Sequence, residues 1–270
     1  MEIQIAGNAE WDCFLTLAQL EGWRVPAAEV ELFRAPLAQC AFALREEGRF
    51  CGLVTAVAYP KSGWIGNLLV PLAERGKGYG ARLFDHALAV LQQQGVTTLW
   101  LTASEQGAPL YQRRGFVAVN QVQRWVLRTV GSAIEATDRS ESLARLLVAD
   151  AVVWGESRAR LLAPLAQGAA IFTFGQTWAM LQAGEGRQVL GPWTSSGHCP
   201  RENRQLLMAV LAAANLDTEL VCDVLVSSPT SSLLAAAGFQ PQGLCQLMAL
   251  GPVSARLEAL TSLASLGSIG

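Results

Sequence analysis

Laid on itself at an offset of 123 residues, the chain repeats: Gly52 falls on Gly175, Gly63 on Gly186, and the pair Gly115-Phe116 on Gly238-Phe239. Between these points Leu83, Phe84, Ala87, Leu88 and Leu91 coincide with Leu206, Leu207, Val210, Leu211 and Ala214. Each set recurs as one apolar face of an amphipathic helix. The strand-like runs Thr98–Thr102 and Val221–Leu225 also coincide, and the stretch needs no gap. A few glycines can align by chance, but helix faces, strands and Gly-Phe turns aligned together point to two related units. A length of 270 residues accommodates both. Gly, Ser, Thr and Asp collect near Val130–Ser140, which sets the expected units at residues 1–130 and 131–252. Residues 253–270 read as a tail, weakly helical around Ser254–Leu266.

Both units show the same order of elements, a mixed α/β pattern. Helical segments come first, Glu10–Leu20 and Ala27–Leu37 in one copy, Glu141–Val153 and Ser157–Leu165 in the other. Three strand-like runs follow, Cys40–Glu46, Arg49–Ala58 and Trp64–Val70, matched by Ala169–Thr173, Thr177–Gln182 and Gln188–Trp193. A long helix comes next (Ala81–Gln94 in the first copy), then a strand and a short helix ending at Gly115 or Gly238. Glycine suits that position because it accepts the left-handed conformation after a helix end. Closing strands complete each copy, Phe116–Val119 with Val122–Leu127, or their counterparts near Leu244–Leu250.

Composition narrows the function. No uninterrupted apolar run approaches the roughly 18 residues needed to cross a bilayer. The opening Met1–Gly7 lacks the basic and apolar segments of a secretory signal. Six scattered cysteines form no C-x-x-C pair and meet only two histidines, so neither a zinc site nor a disulfide framework is expected. Reduced thiols fit a cytoplasmic protein. A net charge of −2 gives no reason to expect nucleic acid as a partner. Any anion site must therefore be local and built from backbone.

Arg75-Gly76-Lys77-Gly78-Tyr79-Gly80 offers one, between the strand ending at Val70 and the helix from Ala81. Small residues let backbone amides converge on a phosphate, and the helix that follows adds free N–H groups and its positive dipole end. A plain surface turn capping a helix would look similar. The run through Ala81 also satisfies the G-x-G-x-x-A dinucleotide pattern. That pattern should follow the first strand of a parallel unit and meet an acid about 20 positions on. Here three strands precede it, and Thr98–Thr102 ends without Asp or Glu. No G-x-x-x-x-G-K-[ST] loop is present.

The stretch Trp64-Ile-Gly-Asn-Leu-Leu-Val-Pro-Leu-Ala-Glu-Arg-Gly-Lys-Gly-Tyr-Gly80, followed by Pro109-Leu-Tyr-Gln-Arg-Arg-Gly-Phe116, resembles the GNAT superfamily of acyl-CoA N-acyltransferases. The whole chain resembles tandem members in which a divergent second copy follows the first. The resemblance implies two domains, each with a central, mostly antiparallel twisted sheet flanked by helices. It implies acetyl-CoA as cosubstrate and a primary amine of a small molecule or peptide as acceptor, attacked directly. Leu68, Leu69 and Val70 would form a splayed strand that pairs with pantetheine much as an added strand would. The amides of Arg75, Gly76, Lys77, Gly78, Tyr79, Gly80 and Ala81 would hold the pyrophosphate. An amide near Leu69 or Val70 would polarise the thioester carbonyl. Tyr111 matches the tyrosine that protonates the leaving thiolate, although a half-buried tyrosine packing its helix would also fit.

The chain departs from the family pattern in places. Ser104 stands where many relatives carry an asparagine that helps hold the cofactor. No acid lies on Trp64–Val70, where a general base is often found; Asn67 is there instead. Glu105 is the preferred candidate, with Glu46 and Glu47 behind it, and a water chain would serve equally. In the second copy Arg75, Gly76, Gly78 and Gly80 become His198, Cys199, Arg201 and Asn203, and Tyr111 becomes Leu234. That copy is expected to bind no CoA and to wall the acceptor cleft. Trp11, Trp23, Trp154 and Trp193 read as either core or cleft aromatics. A competing reading is a CoA-responsive regulatory protein without turnover, and oligomeric state stays open.

Overall fold

The computed structural model describes residues 1–128, 140–184, 186–215 and 217–270. The expected boundary near Val130–Ser140 therefore lies almost wholly outside the described residues. The first copy opens with strand β1 (Glu2–Ile5), which pairs with β2 and which the sequence did not announce. Helices α1 (Asn8–Leu20) and α2 (Ala27–Arg34) follow, then strands β2 (Ala41–Glu46), β3 (Arg49–Ala58) and β4 (Ser62–Leu69). Helix α3 (Tyr79–Gln93), strand β5 (Thr98–Ala103), helix α4 (Ala108–Gln112) and strand β6 (Val117–Arg128) complete it. The two expected closing strands are this single long one.

The second copy repeats the order as α5 (Ser140–Trp154), α6 (Ala159–Leu165), β7 (Ala170–Phe174), β8 (Thr177–Gln182) and β9 (Arg187–Ser195). Helix α7 (Pro200–Ala213), β10 (Glu219–Leu225), α8 (Ser231–Ala236) and β11 (Gln240–Leu250) follow.

Periodicity explains the layers. On α3 four of the five residues of the face predicted from sequence, Leu83, Phe84, Ala87 and Leu91, are fully buried against β3 and β4, and the fifth, Leu88, is half-buried. β3 is buried over most of its length, as a central strand covered on both faces should be. Its other face meets α1 and α2 through Trp11, Phe14 and Phe33. That core continues into the second copy through Trp154, Leu161 and Leu162.

The twelve strands among the described residues, the last of them β12 (Leu260–Ser262), join in one mostly antiparallel sheet, ordered β1-β2-β3-β4-β5-β11-β6-β10-β12-β9-β8-β7. The copies exchange their last strands. β11 pairs with β5 of the first copy, Gln246 opposite Ala103 through Leu250 opposite Leu99. β6 pairs with β10 of the second, Glu219 opposite Arg128 through Leu225 opposite Val122. The side chains cross as well: Trp125 and Leu127 enter the core beneath α7, and Met248 enters the core beneath α3.

The tail corrects an expectation. Ser254–Leu266 is not helical beyond a 3₁₀ turn at Leu257–Ala259. Residues Leu260–Ser262 form strand β12, and Leu260 through Ser265 are buried. β9 and β10 run parallel only from Arg187 opposite Glu219 to Val189 opposite Val221. Beyond that point they part, and β12 fills the fork, with Ser262 opposite Val224 on one side and Trp193 on the other. Its polar side chains have partners, as buried hydroxyls should: Ser262 donates to the Leu190 carbonyl at 3.0 Å, and Thr261 accepts from the Ser228 hydroxyl at 3.5 Å.

Candidate active site

The first copy has the equivalent fork, and it is open. β4 and β5 pair in parallel only from Ser62 opposite Thr98 to Trp64 opposite Trp100. Past these residues the two strands splay. A β-bulge sets Asn67 and Leu68 against one residue of β3, since Thr55 lies opposite Gly66 and Leu53 opposite Leu69. Asn67 takes a φ of 51°, in the left-handed region. The bulge frees two residues from the ladder at the point where the strands diverge.

At the end of β4 the chain turns through Gly76 and Gly78, with φ of 82° and 83°. A Cβ at either would meet nothing within 4 Å, so glycine is required by conformation rather than by space. The first bond of α3 runs from the Arg82 N–H to the Gly78 carbonyl at 3.1 Å. The amides of Tyr79, Gly80 and Ala81 therefore precede the helical ladder and are left without acceptors inside it.

The flanking cations are tied down. Arg75 donates to the Val70 carbonyl at 3.1 Å and to Glu21 at 2.6 Å, which pins the end of α1 to the loop. Lys77 pairs with Glu74 at 2.8 Å and does not face the cavity. Tyr79 contributes its amide alone, since its ring is buried beneath α3 and its hydroxyl donates to Glu46. That bond pushes the Tyr79 phenol up to about 12.

Fork and loop open into one cavity of about 700 Å³. Leu68, Leu69, Val70, Arg75, Gly76, Gly78, Tyr79, Gly80, Ala81, Ser104 and Tyr111 line it, so most of the residues singled out from sequence converge. The exceptions are Lys77 and the base candidates Glu46, Glu47 and Glu105, the last exposed outside the cavity. The Ser104 hydroxyl accepts the Gly107 N–H at 3.2 Å, in the turn that leads into α4.

Tyr111 packs its ring against Phe84 at 4.8 Å and Phe116 at 6.4 Å. Tyr59 and Tyr79 use their hydroxyls in hydrogen bonds, whereas that of Tyr111 has no partner among the described residues. Burial pushes its phenol up to about 12, so it holds its proton at neutral pH.

The opposite wall was not anticipated. It consists of Glu29 from α2, Arg124 from β6, Cys245 from β11, and the tail at Leu266–Ser268. Arg124 forms a two-pronged pair with Asp223 of β10, 2.7 Å for each bond, and also donates to the Leu266 carbonyl at 3.0 Å. Glu29 is only 2% exposed. Its Oε1 accepts the Leu266 N–H at 3.1 Å, and its Oε2 accepts the Ser268 hydroxyl. Burial pushes its carboxyl up to about 7, against the pull of those two bonds and of Arg124, with Asp223 reinforcing the rise. Sequence did carry a trace of Glu29. It stands three and four residues before Leu32 and Phe33, an acid on an otherwise apolar helix face. Nothing local announced Arg124 or the tail, whose places depend on the exchanged strands.

In the second copy the corresponding loop is closed. The Asn203 amide donates to Ser195 Oγ and to the Cys199 carbonyl, both at 3.0 Å, and Leu234 is fully buried. Trp11, Trp154 and Trp193 are core residues, whereas Trp23 is exposed at the cavity mouth.

Residues 6–116 match the acetyltransferase (GNAT) family model, a stretch that holds the fork, the loop and the Tyr111 helix. No curated protein matches the sequence. Among solved structures, the chain is similar to a presumptive acetyltransferase from Pyrococcus horikoshii, with a TM-score of 0.81 at 18% identity over 100% of this chain and 95% of that one. It is also similar to a GCN5-related N-acetyltransferase from Sphaerobacter thermophilus, with a TM-score of 0.64 at 14% identity, over 93% and 95% of the two chains. A tandem GNAT protein from the clavulanic acid biosynthesis pathway gives a TM-score of 0.59 at 14% identity, over 93% and 98%.

The open fork, the glycine loop and Tyr111 all fall within the stretch that matches the acetyltransferase family model. Residues 6–116 are thus similar to the GNAT acetyltransferases, and the chain as a whole shares the fold of a tandem GNAT protein. No helix among the described residues is long and apolar enough to cross a membrane.

Proposed function

We propose that the protein moves the acetyl group of acetyl-CoA directly to a primary amine of a small molecule or peptide, in the first copy. The open fork supports this reading most. It ends at the glycine loop, and Tyr111 faces the same cavity with an unengaged hydroxyl.

Leu68, Leu69 and Val70 would offer pantetheine the backbone groups that the splay leaves unpaired. The amides from Arg75 to Ala81, with the positive end of α3, would hold the pyrophosphate. An amide freed near the Asn67–Leu68 bulge would accept the charge developing on the thioester oxygen, and such a donor contributes about 3–4 kcal/mol. Tyr111, kept protonated by its dry surroundings, would hand its proton to the departing thiolate. Glu105 stands outside the cavity and is given no part in the transfer.

The test is to incubate the protein with acetyl-CoA and a panel of primary amines while following free thiol. Release that depends on one amine class supports the enzyme. Cofactor binding with no release under any amine would instead favour a CoA-responsive binding protein.

A further inference from the structure

Besides Tyr111, the cavity is lined by the buried carboxyl of Glu29, and the transfer just proposed needs a destination for the amine proton. We propose that Glu29 receives that proton and that Ser268 positions its carboxylate for the task. The assignment rests on the acetyl-transfer reading and gives it a base.

Three observations on this chain carry the proposal. Glu29 lines the cavity that the fork and the Tyr111 helix share, yet it is otherwise sealed by α2 and the tail. Its two oxygens are each fixed by a donor, the Leu266 amide and the Ser268 hydroxyl, so the carboxylate has one orientation. Each oxygen keeps a further lone pair for an incoming N–H.

The tail is held in place independently. The Trp64 indole donates to the Gly267 carbonyl at 3.1 Å, and the Tyr59 hydroxyl to the Ile269 carbonyl at 2.6 Å. The charged and titratable groups that face Glu29 are Arg124 of β6, Asp223 of β10 and Cys245 of β11. Arg124 and Asp223 largely cancel each other through their two-pronged bond. Arg24, on the α1–α2 loop, also lines the cavity and is paired with Glu219 at 3.1 Å. Glu29 is thus the carboxylate at the acceptor end with no cation of its own. Its carboxyl, pushed up to about 7 by burial, is matched to taking a proton near neutral pH.

The step balances. The amine nitrogen forms a bond to the acetyl carbon as the carbon–sulfur bond breaks. The proton shed by nitrogen passes to a Glu29 oxygen, and the thiolate takes the Tyr111 proton. Solvent then returns a proton to Tyr111 and removes one from Glu29. Because Glu29 is reached only through the cavity, the acceptor presents its amine on a slender group such as a small aliphatic amine or a lysine-like side chain.

The experiment measures thiol release from acetyl-CoA between pH 5 and 9, using whichever of ethylamine, cadaverine or glycinamide the wild type acetylates fastest. Acetyl-CoA binding by calorimetry reports that each variant is folded. Wild-type turnover should rise through a limb near pH 7. Glu29→Gln should bind acetyl-CoA as before, lose at least 100-fold in kcat and lose the limb. Ser268→Ala removes a bond that favours the carboxylate, so its limb should move to higher pH, which a merely structural serine would not cause. Turnover by Glu29→Gln with an intact limb, or an unmoved limb in Ser268→Ala, overturns the assignment while leaving acetyl transfer standing. Absence of turnover in the wild type with all three amines overturns both.

Discussion

The carbonyl oxygen of Ser268 lies 2.4 Å from the position a Cβ on Gly66 would occupy. The tail can enter the first copy's fork only because β4 carries glycine there. The three nearest opposing atoms all belong to the Ser268 backbone, so none can swing aside. Gly66→Ala should therefore push the tail away from β4 and lower stability by about 1–3 kcal/mol, the usual penalty of an overpacked site. Thermal unfolding measures that loss. Since Leu266 and Ser268 hold Glu29, turnover should fall more than acetyl-CoA affinity does.

Glu29 also makes stability depend on pH. Its carboxyl is raised from 4.5 to about 7 on folding, so the folded state binds more protons between those values. Stability is then full below the unfolded pKa and is lost as pH rises from about 4.5 to 7. The loss is roughly 3 kcal/mol by linkage. Chemical denaturation at pH 5 and pH 8 should show this decline in the wild type. Glu29→Gln, which has no proton to lose, should flatten it. An equal decline in both proteins would show that another group is responsible.

Tyr111→Phe removes one hydroxyl and little else. The ring keeps its contacts with Phe84 and Phe116, and the lost group has no hydrogen-bond partner among the described residues. Unfolding temperature should barely change, and acetyl-CoA should bind as before. Turnover should fall about 10- to 100-fold, at the low end of what a positioned proton donor supplies. Steady-state kinetics beside calorimetry separates these quantities, and an unchanged kcat would take Tyr111 out of the chemistry.

How much of this was legible in the sequence depends on how local the cause is. The glycine loop was readable because Gly76 and Gly78 mark positive φ and the α3 pattern begins directly behind them. The apolar face of α3 was readable from its spacing alone. The strand exchange was not. Val117–Arg128 and Gln240–Leu250 look equally like closing strands, and nothing within either states which copy's β5 or β10 it will join. Glu29 was overlooked for a related reason: the partners that make it more than a misplaced surface acid come from Leu266 and Ser268. The tail misled through its composition. Alanine, leucine and serine suggest a weak helix, yet Thr261, Ser262 and Ser265 are buried because partners await them: the Ser228 hydroxyl, the Leu190 carbonyl, and the amides of Gly267 and Ile269.

The two forks finally set the number of cofactors. In the first copy the splay past Trp64 and Trp100 stays open toward the loop, with the tail lying against Trp64 and Gly66 of β4 and Thr102 of β5. In the second, β12 occupies the equivalent gap and pairs with both walls, so the backbone groups a pantetheine arm would use are already taken. Asn203 fills the loop that glycines leave empty at residues 76 to 80. Acetyl-CoA should therefore bind with a stoichiometry of one per chain in a calorimetric titration. Gly78→Glu should abolish all the heat, because it sets a carboxylate among the amides meant for the pyrophosphate. The variant should still fold, since no atom lies within 4 Å of the new Cβ and the left-handed φ costs only about 1–2 kcal/mol. Residual heat in that variant, or a stoichiometry of two, would mean that β12 can leave its fork and that the second copy has kept a cofactor site.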